Sequence, residues 1–283
     1  MRKIKIVSIL LIIVSIIGIS LIYGMYFSIE NLTIKSYAVS SEKIDKSLNN
    51  IQIAMISDIH YNNYMDHKRL NKMLNKVQKV SPDVILFGGD LFDTDSNKQI
   101  SEETISELTS LLKELDAPLG KFAVLGEQDL KDENTKNTVI KVLSDADFEI
   151  ITNKNVVIRN KNKSGINLIG IDSLDKGSPN IESALGTIDD KTFNIVLTHA
   201  PDILDMLPAN TVDVVLAGHS HGGQVDFMFY KVLNDKQYAQ KYVSGTHQVN
   251  NTKLFISNGF GTTKFDMRLF APPQLLVLNL KAE

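Results

Sequence analysis

Past five apolar runs of this chain stand side chains that can hold a metal ion. IQIAMIS (51–57) leads into Asp58-Ile59-His60, DVILFG (83–88) into Gly89-Asp90 and then Asp93, FNIVLT (193–198) into His199, and VDVVLAG (212–218) into His219-Ser220-His221. The fifth run, KFAVLG (121–126), opens into Glu127-Gln128-Asp129. Four of the six histidines fall at these points, whereas His67 and His247 do not. Taken one at a time, an aspartate past a strand is ordinarily a helix cap or turn residue, and a lone histidine is a packed or solvated one. If that holds for all of them, they are surface loop residues and no metal binds. Taken as an ordered set, they describe a binding site. With no cysteine in the chain, disulfides and thiolate metal sites are excluded, and any ion is held by oxygen and imidazole nitrogen. Several carboxylates and four imidazoles exceed the needs of one tetrahedral ion, and two ions sharing a bridging carboxylate use them all. Asp58 and His60 are two residues apart, which on extended backbone points both side chains the same way. His219 and His221 repeat that spacing between glycines, which allow the sharp turn required.

The elements that position these residues are legible as well. Short β-rich apolar runs alternate in the first half with helical spacing: HKRLNKMLNKVQKV (67–80) sets Leu70, Met73, Leu74 and Val77 on one face, and ISELTSLLKEL (105–115) repeats the pattern. Strands joined by crossover helices form a parallel or mixed sheet, and loops beyond the carboxyl ends of such strands gather at one edge. NVVIRN, GINLIGI, KLFISNG and QLLVLNL read as strands with little helix between them, so the second half is expected to be more antiparallel. LTIKSYAV (32–39) reads as an early strand of the domain and not as a flexible stalk. The expected architecture is a two-sheet α/β sandwich.

Before it, residues 6–27 carry no charge, enough to cross a hydrocarbon core that needs ~20 apolar residues. Arg2, Lys3 and Lys5 precede this span and Glu30 follows it, so the positive-inside rule sets the N-terminus in the cytoplasm and the remainder outside. A cleaved signal peptide is the alternative, with Gly18 and Ser20 as the small residues, but the apolar run continues past Ser20. The division expected is residues 1–28 as a cytoplasmic tip and transmembrane signal anchor, and 29–283 as one globular domain. A formal charge of -3 provides no basic footprint for a stable nucleic-acid partner. Nothing in the sequence sets an oligomeric state.

The set Asp58-x-His60, Gly89-Asp90-x-x-Asp93, His199 and Gly218-His219-x-His221 resembles the calcineurin-like metallophosphoesterases in order and spacing, and the closing SGTHQVNNTKLFISNGFGTTKFDMRLFAPPQLLVLNL resembles the membrane-anchored branch of that family. The resemblance implies a four-layer αββα sandwich of two mixed sheets flanked by helices, with two divalent ions (Mn, Fe or Zn) at the sheet edge. Carried over by position, Asp58, His60, Asp90 and His221 hold the first ion. Asp90, as the bridging ligand, His199 and His219 hold the second, and Asp93 and Asp129 stand behind them. The implied reaction is hydrolysis of a phosphomonoester, phosphodiester or pyrophosphate by a hydroxide shared between the ions.

One loop departs from the family pattern, which reads Gly-Asn-His followed by Asp or Glu where this chain has Gly126-Glu127-Gln128-Asp129. The asparagine of that pattern is a metal ligand, and its histidine contacts the phosphate and can protonate the leaving oxygen. Glu127 still presents an oxygen but adds a negative charge, which lowers the pull of the centre on phosphate. Gln128 has no proton to give and is limited to a phosphate contact, in a role typically worth ~10²–10⁴-fold in rate. The branch resembling UDP-diacylglucosamine hydrolases has arginine at the histidine position, so that loss alone does not imply a dead enzyme. Two functions follow as expectations: a membrane-anchored extracytoplasmic phosphoesterase acting on a phosphorylated small-molecule, lipid-linked or envelope substrate, or a metal-binding or scaffold homologue with weakened catalysis. Smaller features point to structure: Arg268 to a carboxylate partner, Gly259-Phe260-Gly261-Thr262-Thr263 to a turn or a site lining of backbone N–H groups, and Gln224 to no role derivable from sequence.

Overall fold

A computed structural model of the chain describes residues 2–96, 98–160, 164–186, 188–189, 191–227, 231–232 and 236–283. Helix α1 (Arg2–Ile22) continues through a wider turn at Tyr23–Phe27, and the apolar stretch Lys5–Glu30 is long enough to cross a membrane. The domain then runs β1 (Thr33–Ser41), β2 (Gln52–Ile56), α2 (His67–Lys79), β3 (Val84–Phe87), α3 (Glu102–Lys113), β4 (Lys121–Ala123), α4 (Glu133–Asp145) and β5 (Phe148–Ile150). Its second half comprises β6 (Lys154–Arg159), β7 (Gly165–Gly170), α5 (Ile181–Leu185), β8 (Asn194–Leu197), β9 (Val214–Ala217), β10 (Gly245–Val249), β11 (Thr252–Ile256) and β12 (Gln274–Ala282).

These strands make two six-stranded mixed sheets, ordered β1-β12-β2-β3-β4-β5 and β10-β11-β9-β8-β7-β6. Both faces of each sheet are covered, which is why the central strands are continuous apolar runs. Alternation along them sorts side chains between layers. Ile53, Met55, Val84 and Leu86 of the first sheet meet Ile195, Leu197, Val214 and Leu216 of the second in one buried cluster. Ala54, Ile56, Ile85 and Phe87 face the other way onto α2, α3 and α4. On the far side, Val196, Val215 and Ala217 pack against α5 and the short 3₁₀ turn Pro201–Met206. The result is the four-layer αββα sandwich. Helices α2, α3 and α4 are capped by Asp66, Ser101 and Asp132, each accepting a backbone N–H from the first turn.

The second sheet carries the antiparallel pairs expected of the second half at its edges, β10–β11 and β6–β7, while β7, β8, β9 and β11 run parallel. One expectation needs correction. QLLVLNL does not join that sheet. As β12 it lies between β1, to which it is parallel, and β2, to which it is antiparallel, so the two ends of the domain close the first sheet together.

The end of the apolar helix is fastened to the domain. The Gly24 carbonyl accepts the Arg268 N–H at 3.0 Å, and a Cβ on Gly24 would stand 3.0 Å from Met267 Cγ and 3.2 Å from the Arg268 carbonyl. Any larger residue there would press on both. Ser28 and Ile29 are buried immediately after it.

Candidate metal centre

All five strand-end loops, after β2, β3, β4, β8 and β9, deliver their side chains to one buried point. The backbone there is unusual. Asp58, His60, Asp90, His219 and His221 all have positive φ, between 49° and 68°, a region non-glycine residues seldom occupy and which costs free energy unless the surroundings enforce it. The extended backbone expected for Asp58-x-His60 is therefore not what aims the two side chains. Left-handed turns do so, held by Asp58 N–H to Gly89 O (2.9 Å), Ile59 N–H to Asp90 O (2.9 Å) and Gly261 N–H to Asp58 O (2.7 Å).

Two clusters result. In the first, His60 Nε2 and His221 Nε2 are 3.1 Å apart, and Asp58 Oδ1 is 3.7 Å from His221 Nε2. In the second, Glu127 Oε2 lies 2.7 Å from His199 Nε2 and 3.0 Å from His219 Nδ1, and these two nitrogens are 3.1 Å apart. Asp90 stands between the clusters: its Oδ2 is 3.5 Å from His199 Nε2 and 3.6 Å from His60 Nε2. That oxygen is buried without a hydrogen-bond partner among the described residues, as is Glu127 Oε2, whose imidazole neighbours are close but not aligned as donors. Orphaned buried oxygens facing imidazole nitrogens are the donor set of a hard or borderline divalent ion.

The outward nitrogens of two imidazoles are tied to carbonyls, His199 Nδ1 to Gly88 O and His219 Nε2 to Gln237 O, each at 2.7 Å. With those nitrogens donating, His199 Nε2 and His219 Nδ1 are left to present lone pairs inward. Gly126 makes room for the bridge, since a Cβ there would meet Asp90 Oδ1 at 2.2 Å.

Behind the donor atoms, Asp129 accepts from the backbone N–H of Asp90, Leu91 and Gly126 at 2.8–2.9 Å, so it welds the β3 and β4 loops together. Burial and then the charge on Asp90 push its carboxyl up to about 7, against those backbone N–H groups. Asp93 is also buried and caps its own loop, accepting from Asp95 N–H, Ser96 N–H and Asn63 Nδ2; it joins neither cluster. Burial raises the Glu127 carboxyl, but His199 and His219 outweigh it and hold it well below the usual range. Burial lowers the His199 imidazole, but Asp90 and Glu127 outweigh it and lift it well above its ordinary value. Without metal, Glu127 and His199 are thus an ion pair. His221 is held neutral by burial, then by His60 and Arg268.

Gln128 donates its backbone N–H to Asp90 Oδ1 at 2.9 Å. Its side chain turns away, the carbonyl accepting from Thr94 N–H and Oγ1–H and the amide donating to Asp95 Oδ2. Arg268, fully buried, pairs with no carboxylate among the described residues; it donates to the carbonyls of Gly261, Ala271, Asn258 and His221, bracing the turn that carries His221. The Gly259–Thr263 run contributes buttressing hydrogen bonds to Ser57 O and Asp58 O. Gln224 now has a role: its amide bonds the backbone of Thr263 and Phe265 and clamps that run. Lys236 went unread in the sequence. Its Nζ lies 2.9 Å from Glu127 Oε1, and it belongs to no motif, so only the fold could bring it there.

A family model of calcineurin-like phosphoesterases matches residues 51–223, the stretch that contains both clusters. This chain belongs to that family. Calcineurin-like phosphoesterases are metal-dependent hydrolases, and the seven donor residues fit that requirement. Similar proteins in the family include the uncharacterized metallophosphoesterase YkuE of Bacillus subtilis, 28% identical over 92% of this chain and 89% of that protein. An Aquifex aeolicus metallophosphoesterase is 28% identical over 94% and 98% of the two chains. The UDP-2,3-diacylglucosamine pyrophosphatase LpxG of Chlamydia muridarum is 24% identical over 82% and 84%.

Proposed function

We propose that this calcineurin-like phosphoesterase is a dinuclear hydrolase held at the membrane by its N-terminal helix, with its domain on the extracytoplasmic side. The observation that carries the dinuclear reading is Asp90 Oδ2, buried, unpartnered and nearly equidistant from the two histidine clusters. Asp58, His60 and His221 would hold one divalent ion, Glu127, His199 and His219 the other, and Asp90 both. Two such ions supply Lewis-acid charge for phosphoryl oxygens and an activated water for hydrolysis.

The protein's own residues do the remainder. Gly88 and Gln237 carbonyls keep His199 and His219 in the ligating tautomer, Asp129 holds the Asp90 and Gly126 loops in register, and Arg268 fixes the turn of His221. Gln128 has no proton to give and is engaged by Thr94 and Asp95, and both oxygens of Asp129 are occupied by backbone N–H groups, so the GEQD loop offers no group to protonate a leaving oxygen. The substrates favoured are therefore those whose leaving group needs no proton, aryl phosphates and pyrophosphates, over alkyl esters.

The anchor supports an envelope or lipid-linked phosphorylated substrate. Its end is bonded to Arg268, which in turn bonds His221, so the centre is tied by two hydrogen bonds to the point where the chain leaves the bilayer. The lysine and arginine residues before the apolar span support the outside orientation.

The test uses the full chain in detergent, loaded with Mn²⁺. Wild type is expected to bind two ions and to hydrolyse an aryl phosphate or a nucleotide-sugar pyrophosphate, and Asp90→Asn to retain at most one ion and lose at least ~100-fold in rate. Folded, metal-loaded wild type without turnover on aryl, diester or pyrophosphate substrates overturns the enzyme reading. It leaves the metal-binding homologue, which the engagement of Gln128 favours.

A further inference from the structure

We propose that Lys236 is the anion-binding residue of this centre, donating to a phosphoryl oxygen of the substrate while balancing the charge that Glu127 brings to the second cluster. The inference rests on the two-ion reading above and concerns a residue outside every motif of the chain.

Four observations carry it. First, Lys236 Nζ is 2.9 Å from Glu127 Oε1, while Oε2 of the same carboxylate faces His199 and His219, so the lysine sits one carboxylate away from the second cluster. Second, the segment is pinned there, because the carbonyl of the next residue, Gln237, accepts from His219 Nε2 at 2.7 Å. Third, an ammonium has three hydrogens, and Glu127 Oε1 is the single hydrogen-bond acceptor of Lys236 among the described residues. The side chain keeps 18% of its surface exposed against 6% for Glu127, so the lysine reaches solvent where the carboxylate does not.

Fourth, three other buried or half-buried cations are already engaged. Arg268 is bound to backbone carbonyls, Arg69 pairs with Asp266, and Lys231 pairs with Asp226. Among the described residues, Lys236 alone of the lysines and arginines pairs with a carboxylate of the two clusters. Two dications with Asp58, Asp90 and Glu127 leave one net positive charge, and Lys236 brings the total to two, restoring the attraction for a phosphoryl anion that a third carboxylate removes. A lysine on a flexible stem suits this use, since it can keep one hydrogen on Glu127 and offer the others to the anion.

The experiment measures Mn²⁺ stoichiometry and affinity by elemental analysis and calorimetry, and then the affinity of the Mn²⁺-loaded protein for inorganic phosphate, on the full chain in detergent. Wild type, Lys236→Met, Lys236→Gln and Lys236→Arg are compared, with circular dichroism reporting the fold. Removing one charge-assisted donor is expected to weaken phosphate at least ~10-fold in Lys236→Met and Lys236→Gln. Both should still bind two Mn²⁺ ions, as tightly as wild type or more tightly because a like charge has gone, and Lys236→Arg should stay within about 3-fold of wild type for phosphate. Phosphate affinity within 2-fold of wild type in a folded, two-ion Lys236→Met or Lys236→Gln protein overturns the proposal and leaves the two-ion reading intact. Loss of the second ion in both variants also overturns it, because Lys236 would then only position Glu127. If wild type itself binds no Mn²⁺, the two-ion reading fails and the proposal with it.

Discussion

Glu127→Gln is the substitution through which the charge arrangement of the centre is most directly exposed. The change is isosteric, so it removes charge without opening a cavity. In the metal-free protein Glu127 stands between two cationic groups, with Oε1 2.9 Å from Lys236 Nζ and Oε2 2.7 Å from His199 Nε2. Taking one partner from a buried ion pair typically costs 3–5 kcal/mol, because the other charge remains without compensation. Lys236 keeps 18% of its side-chain surface exposed and so retains part of its hydration, which places the cost near the lower end, about 3 kcal/mol. His199 keeps Asp90 Oδ2 at 3.5 Å as a second counter-charge, so its share of the loss is the smaller one. For a domain of this size a loss of 1 kcal/mol lowers the melting temperature by roughly 2–4 °C, so the metal-free variant should melt roughly 6–12 °C below wild type. The assay is thermal denaturation of the full chain in detergent and chelator, followed by circular dichroism. The double variant Glu127→Gln with Lys236→Met should recover most of the difference, as the unpaired ammonium is gone. A single variant melting within 2 °C of wild type, or a double variant no more stable than the single, refutes the ion-pair reasoning.

On the two-ion reading a metal ion and a proton compete for the His199 imidazole, so Mn²⁺ affinity of the second cluster should rise about tenfold per pH unit across the neutral range, while His199 still carries its proton, measured by calorimetry at several pH values. In chelator, the His199–Glu127 pair stabilises fully between the ordinary values of 4.5 and 6.5. Its contribution is lost as pH rises through the raised His199 value or falls through the depressed Glu127 value. Asp129, raised to about 7, likewise withdraws stability as pH rises through that value, so the metal-free melting temperature should be lower at pH 8.5 than at pH 6, and Mn²⁺ should reverse the order. Gly24→Val should destabilise the junction of helix and domain by about 1–3 kcal/mol. Its added carbon stands 3.2 Å from a backbone carbonyl that cannot yield as the Met267 side chain can, and faster protease cleavage between the helix and β1 is the measurement.

The sequence by itself determined where the candidate ligands stand and the layers that carry them. Parallel strands buried on both faces must be apolar throughout, and the polar residues that interrupt them must lie at strand ends, which is where Asp58, His60, Asp90, Glu127, His199, His219 and His221 stand in the fold. The helical face of Leu70, Met73, Leu74 and Val77 was equally legible, since period alone fixes which side is buried, and those four residues are buried. Tertiary structure alone decided what depends on contacts distant in the chain. The insertion of β12 between β1 and β2 is a pairing choice that local pattern does not encode. The left-handed turns at Asp58, His60, Asp90, His219 and His221 cost free energy locally, and those at Asp58 and His60 persist through bonds with Gly89, Asp90 and Gly261. Lys236 reached Glu127 across 109 residues from a loop without periodicity. Periodicity reports how a segment meets its own layer, whereas a counter-ion is chosen by the Coulomb field of a finished site, and that field exists only after the chain has folded.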